Sequence, residues 1–168
     1  MKGRTLTDYS FSHRIAVEDL RILQQFATET PVRVGALAQA LGLRVVLATL
    51  PMNISGLIAP DDNGTYAIKV NRFESKERQR FTIAHEIAHY LIHRDQINSG
   101  VVDSVLYRSK LSSRTEAEAN RLAADIVMPI AKVHAAIGSS KRIVDEGEIA
   151  DLANQFGVSK QAMAIRVG

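Results

Sequence analysis

His85-Glu86-Ile87-Ala88-His89 constrains this chain more than any other stretch of it. The surrounding segment, Arg80 to His93 (RFTIAHEIAHYLIH), contains no Gly or Pro, and Ile83, Ile87, Tyr90 and Leu91 recur at three- and four-residue steps. That spacing predicts an amphipathic helix. On a helix, residues four apart stand one above the other, about 6 Å along the axis. His85 and His89 can then aim both imidazoles at one ion. Glu86, one position round, can take the proton of a water that the ion polarises. Two of the five histidines stand at this metal-ligand spacing. The competing reading is a helix whose histidines only hydrogen-bond their neighbours, and the helical context weighs against it.

A catalytic metal site needs a third protein ligand. Glu116 and Glu118 both fall in a second helical stretch, from about Thr115 to Val127. Glu116 shares a stripe with Asn120, Ala123 and Ala124, so a polar side chain stands one turn behind it. Glu118 points roughly 160° away on a regular helix and is expected to be a solvated carboxylate. Glu116 is therefore the candidate ligand. His93 extends the series of histidines but lies about 12 Å along the axis from His85, too far to reach the same ion. Metzincins place their third histidine six residues after the second, beyond a Gly; here the gap is four and no Gly intervenes. His93 is expected instead to meet the carbonyls at the helix end. The pattern is gluzincin-like.

Around these helices the sequence predicts an α+β domain. Ile15–Ala27 and Pro31–Leu41 read as helices, the second stopped by Gly42. Leu43–Leu50 is a strand candidate. Ile54–Ala59 and Thr65–Asn71 flank Asp61-Asp62-Asn63-Gly64, a hairpin turn signal. The expected fold is zincin-like: a small, mainly antiparallel sheet packed on the HExxH helix, the rest largely helical. An edge strand of such a sheet could receive an extended peptide. Asp95–Ser113 reads as a polar, irregular connection. Tyr107 and Arg108 within it, and His134 further on, are candidates to stabilise an oxyanion, with surface or packing roles as the plainer alternative.

The C-terminal run Glu148–Val167 reads as helix, turn, helix, with Ile149, Leu152, Ala153 and Phe156 on one face, Gly157-Val158 at the turn and Ser159 as a cap. Its second helix offers only Lys160, Gln161 and Arg166 to a nucleic acid, while Asp145, Glu146, Glu148 and Asp151 stand close by. This charge balance favours packing on the core over DNA reading. Residues 145–168 are thus expected to belong to a single domain spanning residues 1–168. Hydrophobic residues at 46% suffice for its core, and the net charge of +3 is a weak argument for nucleic acid. No apolar run could span a membrane, Met1-Lys2-Gly3-Arg4-Thr5 is not followed by a signal-peptide core, and cysteine is absent. A cytoplasmic location is the expectation.

The stretch from Arg78 to His93, RQRFTIAHEIAHYLIH, together with Glu116 to Pro129, EAEANRLAADIVMP, resembles the ImmA/IrrE metallo-endopeptidases. That family usually shows RxRFTLAHELGHxxLH followed by ExxANxFAAELLMP. The departures include Ile83, Ile87, Ala88, Leu122, Asp125, Ile126 and Val127, of which Asp125, a shorter acid, is the least mild. The likeness extends less sharply upstream to Gly56 and the Ile68–Asn71 strand, and downstream to the C-terminal hairpin. It implies that His85, His89 and Glu116 bind zinc and that Glu86 is the catalytic base; manganese is an alternative occupant because geometry and availability govern metal identity as much as affinity does. It also implies a protein substrate, a helix-turn-helix transcriptional repressor of a phage, mobile element or stress regulon, encoded near the protease. The alternative from another class is a non-proteolytic, metal-containing regulator or toxin–antitoxin component that binds DNA or a partner protein. Glu86 argues against it, because a structural zinc site has no use for a carboxylate beside its first histidine.

Overall fold

Eight helices and three strands follow one another along the residues that this computed structural model describes, 9–97, 113–138 and 143–168. After a short 3-10 turn at Ser12–Arg14 come α1 (Val17–Phe26) and α2 (Val34–Ala40), then β1 (Leu43–Ala48), β2 (Gly56–Pro60) and β3 (Tyr66–Asn71). Helix α3 (Lys76–Ile92) and the one-turn α4 (Arg94–Ile97) precede α5 (Ser113–Val127), α6 (Ile130–Ile137), α7 (Glu146–Phe156) and α8 (Lys160–Val167). The α+β class is the one expected. The second helix begins at Val34, three residues later than its sequence pattern suggests, and the HExxH helix begins earlier. Ser75 accounts for the latter: its hydroxyl accepts the Arg78 N–H at 3.2 Å, satisfying a donor that the first turn would otherwise leave open.

The sheet has the order β1-β3-β2 and is mixed. The hairpin pairs β2 with β3 antiparallel, whereas β1 runs parallel to β3 in the register Leu43↔Tyr66 to Ala48↔Asn71. The turn is organised by Asp61, whose carboxylate accepts the N–H groups of Asn63 and Thr65 and the Thr65 hydroxyl, while Gly64 takes φ 75°. As the central strand, β3 buries Ala67, Ile68 and Val70. At its end, buried Asn71 donates to the carbonyls of Leu50 and Ile54 and fastens the loop between β1 and β2.

Two close approaches place the site. A Cβ at Gly56 would collide with Thr82 of α3 and lie 2.7 Å from the Lys69 carbonyl, so only glycine lets β2 lie this near α3. On its other side α3 packs against α5. Ala84 and Ala88 of α3, and Ala119 and Ala123 of α5, are fully buried. Small side chains at such a contact shorten the distance between helix axes.

The C-terminal hairpin forms as its sequence suggests. Asp145 and Glu148 make a reciprocal capping box at the start of α7, Gly157 adopts the left-handed conformation (φ 65°), and the Ser159 hydroxyl accepts the Ala162 N–H. Arg80 of α3 donates to the carbonyls of Gly157 and Phe156, at 3.0 and 3.3 Å. Arg166 departs from the expectation of a cation available to phosphate. Its guanidinium lies 2.9 Å from Asp125 Oδ1 and donates to the Met128 carbonyl, with only 15% of the side chain exposed. Asp125 in turn accepts the Ser10 N–H at 2.7 Å. The shorter acid at position 125 thus ties α5, α8 and the N-terminal segment together. None of the helices among the described residues is long and apolar enough to cross a membrane.

Candidate metal centre

His85 and His89 stack on the inner face of α3, and the first turn of α5 brings Glu116 across to them. One donor atom from each lies within 4.8 Å of the others. His85 Nε2 and His89 Nε2 are 3.0 Å apart. The Glu116 carboxylate meets them at 3.3 Å (Oε2 to His85) and 3.2 Å (Oε1 to His89). Both imidazoles are buried and the carboxylate is partly so. Contact with His85, and then with His89, holds the Glu116 carboxyl below its ordinary range against the opposing effect of burial.

These residues suit a cation. His85 Nδ1 is 2.9 Å from Asn120 Oδ1, an oxygen that can only accept. With the Asn120 amide in that orientation, Nδ1 carries the proton and Nε2 presents a lone pair to the cluster. Glu116 Oε1 is buried without a hydrogen bond of good geometry, although His89 Nε2 is close. Electron-rich atoms converging in a buried place are stabilised by a shared positive charge. His85, His89 and Glu116 could hold a divalent metal ion, with Asn120 orienting His85 from behind, as its place on the Glu116 stripe suggests. Glu86 is itself fully buried next to His85 on α3.

The centre opens on a cleft of about 900 Å³. His85, Glu116 and Asn120 lie in its wall, with Phe81 and Thr82 of α3 beside them. Lys160, Gln161 and Ile165 of α8 line the same cleft. Ser55, next to the first residue of β2, forms part of the rim with Glu74 and Arg78. Its hydroxyl donates to Glu74 Oε1 at 2.9 Å and accepts from Arg78 Nε at 3.3 Å. That α8 borders the cleft was not legible in the sequence, whose charge balance favoured packing on the core without showing where on it.

Two expectations need correction. Glu118 is not a solvated carboxylate: its side chain is 13% exposed and accepts from His93 Nε2 and Arg14 Nη1, each at 2.8 Å, and from Arg114 Nε at 3.2 Å. His93, and then Arg14, hold its carboxyl at about 2. His93 does not turn to the helix-end carbonyls. Its ring is buried between Glu118 and His89, with Nδ1 3.0 Å from His89 Nδ1, and burial lowers its affinity for a second proton. The signal in the sequence was the four-residue step from His89 to His93, which makes ring neighbours as surely as the step from His85. Among the oxyanion candidates, Tyr107 and Arg108 lie outside the described residues. His134 is exposed on α6 and is not among the residues lining the cleft.

Among solved structures, a Mycobacterium tuberculosis transcriptional regulator is similar in fold, with a TM-score of 0.58 and 21% sequence identity. The similarity covers 88% of this chain but only 45% of that protein, so the chain spans less than half of it. No curated protein matches the sequence closely enough to count as a relative. The peptidase M78 family, described as the IrrE N-terminal-like domain, matches residues 38–167, and with the HExxH helix, the Glu116 helix and the hairpin all inside that span, the chain belongs to this family.

Proposed function

We propose that this chain is a zinc-dependent endopeptidase, working as one unit over residues 1–168 on a protein substrate in the cytoplasm. The observation that carries the reading is the convergence of His85 Nε2, His89 Nε2 and the Glu116 carboxylate, with Glu86 next to His85 on α3 and with His85 and Glu116 in the wall of a cleft of about 900 Å³. A three-residue nitrogen and oxygen set suits zinc, and manganese is the alternative occupant. When bound, the metal supplies Lewis acidity to the attacking water and to the scissile carbonyl. Glu86 accepts the water's proton and returns it to the departing amine. Asn120 holds the His85 ring, and β2, an edge strand whose first residue adjoins the cleft rim, offers backbone to an extended peptide.

The substrate class favoured by the family resemblance is a helix-turn-helix repressor encoded nearby. The alternative is a regulator that keeps the metal but cuts nothing, and the fold likeness to a transcriptional regulator sits easily with either. Glu86→Gln separates them. As a peptidase, the variant should bind one zinc as the wild type does and lose cleavage of the neighbouring repressor by about 10²–10⁴-fold or more. Cleavage by Glu86→Gln at the wild-type rate would remove the proposed mechanism. Zinc content unaffected by His89→Ala or Glu116→Ala would remove the proposed site.

A further inference from the structure

We propose that His93 and Glu118 are positioning residues for the metal centre, forming a relay that fixes which nitrogen of His89 carries its proton. The inference rests on the metallopeptidase reading above and deepens it. Glu118 is the fixed end of the relay. Arg14 at 2.8 Å and Arg114 at 3.2 Å stand against its carboxylate and keep it an acceptor. His93 Nε2, 2.8 Å from Glu118 Oε2, must therefore be the donor in that contact. A neutral imidazole has one N–H, so His93 Nδ1 bears a lone pair. His89 Nδ1, 3.0 Å from it, must then donate, which leaves His89 Nε2 as the electron-rich nitrogen turned towards Glu116 and His85.

The opposite chain of protons fails at its far end. With His89 protonated at Nε2, His93 would have to donate from Nδ1 and present a lone pair to the Glu118 carboxylate at 2.8 Å. That contact would set two acceptors against each other in a buried place. Asn120 does for His85 through one oxygen what the relay does for His89 through a ring and a carboxylate. Arg14 extends the relay further, since it also donates to the Ile92 carbonyl at 3.0 Å. It stands upstream of the span that matches the family, so the N-terminal segment of this chain reaches its metal centre through Glu118.

Two measurements test the relay. Long-range proton–nitrogen NMR on the metal-free wild type should show His89 protonated at Nδ1 and His93 at Nε2. A proton on His93 Nδ1 or on His89 Nε2 would overturn the proposal, and this readout needs no variant to fold. Zinc affinity, measured by competition with a chromophoric chelator, should fall about 10–100-fold in His93→Leu, the range for removing a partner of a metal-binding histidine. His93→Asn should recover most of that loss, because its amide oxygen sits near the former Nδ1 and accepts the same proton. Unchanged affinity in His93→Leu, or no recovery in His93→Asn, would reduce His93 to a packing residue. His89→Ala is the control for the parent reading: if it binds zinc like the wild type, the metal site itself is wrong, whatever His93 does.

Discussion

Replacing Arg166 with Met should destabilise the whole unit, although Arg166 lies two residues from the last residue of the sequence. The guanidinium pairs with Asp125 Oδ1 at 2.9 Å and donates to the Met128 carbonyl at 3.0 Å, with side-chain exposures of 15% and 8% for the ionic partners. Removing one member of a buried pair costs about 3–5 kcal/mol, mostly because the other charge stays behind without compensation. Asp125 would keep one donor, the Ser10 N–H at 2.7 Å, and water can reach the partly open side. Both effects reduce the cost to about 2–4 kcal/mol. For a chain of this length that corresponds to a fall in Tm of about 5–15 °C. Urea unfolding followed by circular dichroism measures it, with Lys160→Met on the exposed side of the same helix as a control expected within about 0.5 kcal/mol of wild type. A double-mutant cycle with Asp125→Asn should return a coupling above about 1 kcal/mol. A change in Arg166→Met no larger than in Lys160→Met would refute the argument that this pair anchors the hairpin to the Glu116 helix.

Gly56→Ala should cost about 2 kcal/mol or more, because the new methyl meets the Lys69 carbonyl as well as Thr82, and backbone cannot step aside as a flexible side chain can. Thermal unfolding reads the loss, and an unchanged Tm would mean that β2 and α3 are further apart than described. Gly157→Ala combines a left-handed residue with a Cβ 2.7 Å from Arg80 Nε, and a loss of about 1–3 kcal/mol is expected, against none if the turn relaxes freely. Chelation should lower stability by an amount that grows with the logarithm of zinc affinity: at free zinc one hundred times Kd, the bound metal contributes about 2.7 kcal/mol, and EDTA should remove it in the wild type but change little in His89→Ala. Asp61 should titrate below the ordinary aspartate range by carbon NMR, chiefly because the Thr65 hydroxyl bonds its ionised form. Its contribution to stability is accordingly full above its unfolded-state pKa and fades as the pH falls through the lower folded-state value. A midpoint at or above that of an aspartate in an unfolded peptide would contradict the turn geometry.

Local periodicity and capping chemistry were enough to read most of the elements of this protein from its sequence, though not α4 or α6. Three- and four-residue steps of apolar side chains announce α3 and α5, Asn63-Gly64 announces the hairpin, and Gly157 with Ser159 announces the last turn. These are short-range effects, settled by the steric preferences of a few neighbouring residues. Helical phase also sufficed to rank Glu116 above Glu118 as the residue facing His85 and His89, because both acids lie on one rigid element. What the partner of Glu118 would be was another matter. A carboxylate pointing away from one site is solvated only if nothing stands there, and His93 and Arg14 arrive from α3 and from the N-terminal segment. Likewise Arg166 looks like a free cation until α5 supplies Asp125, and a charge balance that favours packing of the hairpin on the core does not say that α8 will border the cleft. Sequence spacing specifies which side chains share a face. Which faces meet depends on how close the helices can come, and here the buried alanines of α3 and α5 and the bare backbone of Gly56 decide it.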